Sequence, residues 1–229
     1  MSETRRHRDV AAAAGRELAC RDDVHAVLLG GSVARNEHRP TSDIDLLVVV
    51  GEDFALPVRE MHGDLLVERI SHTEQGWFDR FDRPKTSWLY AFVEATVLYD
   101  TGPAKRLQHQ ASSVQATYRA SRELKSVLAT SLWHGQAKLD RVQPADARAQ
   151  GFWSSVFVET IIDALYTVHD VPLPAGSRRL AHLTLVPMED DEQEAVGALL
   201  TGNSADRFDA TNHLVRSLRQ KLGPADHEA

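Results

Sequence analysis

The run Ile44–Val50, "IDLLVVV", is apolar on both of its alternating faces apart from Asp45. Side chains alternate along a strand, so such a run has no face to give to water and reads as a strand buried on both sides. A sheet with both faces covered is therefore required around it. Val24–Leu29 is a second short strand of β-branched and aliphatic residues. Val58–Met61 and Leu65–Ile70 read as a hairpin around His62-Gly63, where glycine supplies the positive φ such turns need. Thr96–Tyr99 is a last short strand, Trp77–Phe81 and Ser87–Glu94 read as helices, and Gly51–Pro57 as a loop. Ahead of these, Thr4–Arg21 has helical spacing, with Val10, Ala14 and Leu18 on one stripe. Cys20 falls in that pattern and is expected to be a small packing residue.

After "DTGP" (Asp100–Pro103) the texture changes. Leu107–Val142 has apolar residues at helical spacing with charges between them. Pro144 is expected in the first turn of the next helix, which carries Phe152, Val156, Ile161, Leu165 and Val168 and stops before "HDVPLPAG". Two shorter helices, Glu189–Leu200 and Ala205–Leu222, follow, with Ser204 as the N-cap of the second. The acids Glu189 to Glu192 read as a helix N-terminus set against the dipole. The expected fold class is α+β: a small mixed sheet flanked by helices in residues 1–103, then an all-α helical bundle in residues 104–229. A polar tail, "PADHEA", ends the chain.

Composition narrows the function. An apolar fraction of 42% and a charged fraction of 26% are those of an ordinary globular protein. No apolar run approaches the ~20 residues a membrane span needs, and "MSETRRHRDV" lacks an apolar signal core, so the expectation is the cytoplasm with no membrane partner. The single cysteine excludes an intrachain disulfide framework and a Cys-rich metal cluster. A net charge of −7 argues mildly against a duplex-binding protein and suits a cationic or neutral acceptor better than a polyanion.

The chemistry sits between the first two strands, in "LLGGSVARNEHRPTSDIDLLVVV". Asp43 and Asp45 point to the same side of the strand and repel each other unless something positive lies between them. Protons can do this by raising one pKa. A divalent cation does it better, and oxygen-only ligation is what Mg²⁺ prefers, usually shared with substrate phosphates. Gly30-Gly31-Ser32 at a strand end frees backbone N–H groups, lets a phosphate come close and adds a hydroxyl donor. A phosphate cradle beside a carboxylate-held metal suits in-line attack on a nucleotide's phosphorus. Taken separately, Gly30-Gly31 reads as a plain turn and Ser42-Asp43 as a cap; their order and the apolar strand behind them favour the functional reading.

Glycine-serine, a polar loop, then Ser-Asp-x-Asp opening a strand resembles the DNA polymerase β-like nucleotidyltransferase superfamily. "GGSVARNEHRPTSDIDLLVV" is similar above all to its small bacterial members, the aminoglycoside and lincosamide nucleotidyltransferases and the minimal nucleotidyltransferase antitoxins. The resemblance spans residues 24–103. It implies transfer of a nucleoside monophosphate, AMP from ATP or the equivalent from another nucleoside triphosphate, to an acceptor hydroxyl, with pyrophosphate leaving and two Mg²⁺ ions as cofactors. By position, Gly31 and Ser32 become phosphate contacts, with Gly30, Arg35 and Ser42 in the same nucleotide-binding set, and Asp43 and Asp45 become metal ligands. Many relatives have glycine where this chain has Asn36, a residue that tolerates left-handed backbone. The implied third carboxylate is Asp64 or Glu68. Glu68 is chosen because it lies inside its strand, in a "VERISHTE" context similar to the aminoglycoside enzymes, whereas Asp64 sits at the hairpin turn. The competing reading of Glu68 is a surface strand acid paired with Arg69 or Arg59. Asp100 reads as a turn residue.

In the kanamycin-type members a glutamate on a helix of the second domain is the general base. Glu159 and Asp163 lie four apart on one helix face here, and Glu159 is preferred as deeper in the apolar run; a solvated edge paired with lysine or arginine is the plainer reading. Arg35 reads equally as a triphosphate contact or a salt-bridge residue. Arg207 and His213 match the loose R-x5-H spacing of HEPN ribonucleases only weakly. Trp77, Trp88, Trp133 and Trp153 fit a core better than an acceptor cleft. The partners implied are a nucleoside triphosphate and a small-molecule hydroxyl acceptor of the antibiotic type, in a monomer or homodimer. The alternatives are a protein- or RNA-modifying adenylyltransferase of the antitoxin type and a catalytically idle nucleotide-binding relative. The intact aspartate pair argues against the idle relative, and the large helical half against a minimal antitoxin.

Overall fold

A computed structural model describes residues 3–52, 58–81 and 87–223. Most of the expected loop Gly51–Pro57 and the polar tail lie outside the described residues. The chain divides into two compact units, Met1–Thr117 and Tyr118–Ala229.

The first unit is built on a five-stranded mixed sheet. Its strands are β1 (Val24–Leu29), β2 (Ile44–Val50), β3 (Arg59–His62), β4 (Leu65–Thr73) and β5 (Thr96–Asp100), in the order β3-β4-β2-β1-β5. β2 runs parallel to β4, and the other pairs are antiparallel. The expected hairpin is present: β3 and β4 meet with His62 opposite Leu65, and Gly63 turns at φ 69°.

Both faces of β2 are covered, as its composition demands. On one face, α1 (Glu3–Ala19) packs Ala11, Ala14 and Leu18 against Val27, Leu29, Ile44, Leu46 and Val48. On the other, Leu28, Leu47 and Val49 meet Trp77, Phe81, Leu89, Phe92 and Leu107. These come from α3 (Glu74–Phe81), α4 (Ser87–Val93) and α5 (Pro103–Thr117). Trp77 is fully buried and donates its indole N–H to the Val48 carbonyl at 3.0 Å, so Trp77 is core. Trp88 packs on the same cluster. The helix α5 begins at the expected division of the chain and belongs to the first unit, burying Ala104, Leu107 and Ala111. A single helical turn, α2 (Gly31–Ala34), joins β1 to the loop before β2.

The second unit comprises α6 (Arg122–Leu139), α7 (Ala147–Val168), α8 (Asp190–Thr201) and α9 (Ser204–Leu222), with short 3-10 turns at Gly176–Arg178 and Leu183–Leu185. Its core joins Leu132, Leu139, Ile161, Leu165, Leu199, Leu214 and Leu218. Three local expectations are corrected. The stretch Leu107–Val142 is two helices, because Ser121 takes extended backbone and its hydroxyl caps the Leu124 N–H at 3.1 Å. Pro144 lies in the turn before α7, whose cap is Asp146, accepting from the Ala149 N–H at 2.9 Å. Asn203 caps α9 in place of Ser204, since its side-chain oxygen reaches two orphan N–H groups, those of Ala205 and Asp206. Cys20 is a fourth correction: it lies just past the end of α1 and is exposed, not packed.

The acids at the start of α8 form a capping box between Glu189 and Glu192. Glu192 goes further. It is fully buried and accepts from the Glu189 N–H at 3.1 Å, from Lys221 of α9 at 3.1 Å and pairs with His169 at 2.9 Å. Burial alone would raise this carboxyl, but those three partners outweigh it and hold it below the usual glutamate value of 4.5. A carboxyl depressed on folding stabilises above its unfolded pKa, and that stability is lost as pH falls through the folded one. Glu192→Ala should destabilise the second unit by about 3 kcal/mol at neutral pH. Chemical denaturation as a function of pH should show the gap between Glu192→Gln and the natural chain closing below pH 4.5.

Candidate active site

The site begins where β1 stops. The Gly30 N–H donates to the Asp45 carbonyl at 2.9 Å, which fastens the turn to the start of β2. Gly31 follows at φ 64°, pressed on the Asp45 side chain. A Cβ there would overlap the Asp45 Oδ2 and stand 2.8 Å from its Cγ. Two independent demands, a left-handed backbone and a close approach, thus require glycine at this position. Ser32 and Arg35 sit in and just after α2. Asn36 takes φ 62°, a left-handed backbone that asparagine tolerates, and the Glu37 N–H closes on the Ser32 carbonyl at 2.9 Å.

The loop then turns at Arg39–Ser42. The Ser42 hydroxyl accepts from the Arg39 N–H at 2.9 Å, and the Ser42 N–H returns to the Arg39 carbonyl at 3.0 Å. Asp43 emerges exposed, and Asp45 follows half-buried on β2. On the neighbouring parallel strand Glu68 is the register partner of Asp45. One carboxylate oxygen from each of Asp43, Asp45 and Glu68 lies within 4.8 Å of the others.

Like charges at that separation show in the electrostatics. Burial first, then the Asp43 and Glu68 carboxylates, push the Asp45 carboxyl up to about 6, with Arg35 opposing them. Arg35 is mostly buried and bridges Glu37 at 2.8 Å and Glu94 at 3.2 Å. Arg59, on β3, donates from Nε to Glu68 Oε1 at 2.8 Å. Both expected descriptions of Glu68 therefore hold together: it pairs with Arg59, and it stands among the aspartates. Three convergent carboxylate oxygens fit a divalent cation of the Mg²⁺ type.

The other candidates fall elsewhere. Asp64, the alternative to Glu68, stays at the hairpin turn and pairs with Arg6 of α1. Asp100 accepts the Gly102 and Ala104 N–H groups at 2.7 and 2.9 Å, capping α5 as a turn residue does. In the second unit Glu159 is 77% exposed and Asp163 only 25%, which reverses the expected depth. The reason is helix phase: the apolar neighbours of Glu159 in sequence point away from it. Arg179 holds both acids, at 2.6 and 2.9 Å. Arg207 donates to the Leu199 carbonyl at 3.0 Å, and His213 stands 3.5 Å from Asp191. Trp153 stacks on Phe157 at the core edge, while Trp133 remains partly exposed. Glu94 is a residue that sequence reasoning missed, since nothing local to it signals a partner 59 positions away.

A strand-end glycine-serine turn over three convergent acids is an arrangement that can hold a divalent cation beside a phosphate. The comparison with known families agrees: residues 15–94 match the nucleotidyltransferase domain family. The first unit therefore carries a nucleotidyltransferase domain, consistent with the DNA polymerase β-like superfamily, and nucleotidyl transfer is the activity that domain supports. A search of curated proteins gave no match to the chain.

Two outcomes follow from this geometry. Because the Asp45 carboxyl is raised to about 6, its favourable protonated form is fully present below pH 3.8 and is lost as pH rises through 6. In chelator at pH 7, Asp45→Asn should therefore melt higher than the natural chain, by on the order of 2–3 kcal/mol, with the difference vanishing near pH 4. Gly31→Ala should displace Asp45 and destabilise the domain by about 1–3 kcal/mol, measurable by urea unfolding.

Proposed function

We propose that this chain is an Mg²⁺-dependent nucleotidyltransferase that moves AMP from ATP, or the equivalent group of another nucleoside triphosphate, to a hydroxyl of a small molecule of the aminoglycoside or lincosamide type. The observation that carries the reading is the convergence of Asp43, Asp45 and Glu68 within 4.8 Å, beside a turn that only glycine can make. In the reaction the acceptor oxygen bonds to the α-phosphorus, the bridging bond to the β-phosphate breaks, pyrophosphate leaves and the acceptor proton passes to a base. Asp43, Asp45 and Glu68 hold the divalent ions, whose role when bound is Lewis-acid stabilisation of the reacting phosphate. Gly30 and Gly31 bring backbone close to the triphosphate, Ser32 and Ser42 offer hydroxyls near it, and Arg35 offers positive charge. Glu159, which pairs with Arg179 at 2.6 Å, is the proposed proton acceptor.

Magnesium-dependent pyrophosphate release from ATP, measured across aminoglycoside, lincosamide, protein and RNA acceptors, tests this. Turnover with a small-molecule acceptor is expected. Asp43→Asn and Glu68→Gln should each lower it by about 10²-fold or more while cooperative melting is kept. Turnover with protein or RNA alone would move the chain to the antitoxin type. No turnover and no nucleotide-induced thermal shift would sink the assignment.

A further inference from the structure

Arg59, Glu68 and Asp45 form a row across three strands. Arg59 faces Glu68 across the antiparallel β3–β4 pair, and Glu68 faces Asp45 across the parallel β4–β2 pair. Neighbouring strands are about 4.8 Å apart, so Arg59 starts about 10 Å from Asp45 and its side chain reaches inward along the row. Its Nε already touches Glu68 Oε1 at 2.8 Å.

The two arginines near the acids differ in how they are held. Arg35 is mostly buried and is anchored by Glu37 and Glu94, so its position does not depend on the triad. Arg59 stands on the edge strand with 68% of its side chain exposed, and among the described residues Glu68 is the acid it pairs with. An exposed arginine held by one contact gives that contact up at little cost. Glu68 is therefore contested: the same carboxylate serves a guanidinium and the cation site.

We infer that Arg59 is a built-in competitor of the divalent cation, contending with it for the Glu68 carboxylate and so setting how tightly the acidic triad holds the ion. The inference rests on the triad being the cation site. In the competition no covalent bond changes; Arg59 swings off Glu68 as the cation is ligated and returns when it leaves. The arrangement makes cation exchange easier and supplies a counter-charge that steadies three crowded carboxylates between occupancies.

Mn²⁺ is the probe. Free Mn²⁺ is titrated by electron paramagnetic resonance against the full chain without nucleotide, and thermal melts are recorded in chelator and in excess Mn²⁺. Arg59→Gln should bind Mn²⁺ about five- to tenfold more tightly at low salt. Arg59→Lys, which keeps the charge, should stay near the natural chain. Arg59→Gln should also melt lower than the natural chain in chelator yet gain more on adding Mn²⁺, a crossing that a purely structural arginine would not give. Unchanged or weaker Mn²⁺ binding by Arg59→Gln, with binding by the natural chain intact, overturns the competition and leaves the metal site standing. No Mn²⁺ binding by either protein overturns both.

Discussion

The parallel pairing of β2 with β4 puts Asp45 opposite Glu68, and much else in the first unit follows from that register. It cannot slip. Ile44, Leu46 and Val67 are fully buried on the other side of the sheet, and a shift of one residue would carry the acids into the apolar cluster under α1. Hydrophobic packing thereby holds like charges together that would otherwise separate, and the Asp45 carboxyl is raised first by its burial and then by that crowding. Arg35, Arg59 and the bare backbone at Gly31 are the local adjustments that make the crowding tolerable.

Each unit contains a buried or half-buried acid, and the two are handled in opposite ways. Glu192 has a backbone N–H, a lysine and a histidine around it, and its carboxyl is lowered. Asp45 has two further carboxylates around it, and its carboxyl is raised. The first is a satisfied hub that ties α8 to α9 and to the end of α7, and its chemistry is spent on the fold. The second is left wanting positive charge, which is what a site for an external cation requires. Perturbation in the direction that harms the folded state is the more informative sign of function.

How far the sequence could be read follows the range of the interactions. β2, its flanking acids and the hairpin were legible because period-two alternation and a glycine turn act over a few residues. Arg59 was one of two arginines legible as a partner of Glu68, and the Gly63-Asp64 turn, one residue later than His62-Gly63, sets the register that pairs them. Helix caps were less legible: Ser204 and Asn203 are both good caps, and one residue of backbone geometry decides between them. Glu159 was misjudged because apolar neighbours along the chain say nothing about where they point once a helix is wound. Glu94, Arg179 and the burial of Glu192 depend on partners brought in from distant elements, and no local pattern announces them.

The short turn α2 opens on the left-handed Gly31 and is followed by the left-handed Asn36, and each end is closed by a backbone hydrogen bond. A segment fixed at both ends has little freedom left to lose. Whatever ligand it receives meets a surface whose ordering entropy has already been removed during folding, so more of the contact energy there remains as affinity. The same rigidity narrows the choice of ligand, because a turn that cannot adapt selects by shape.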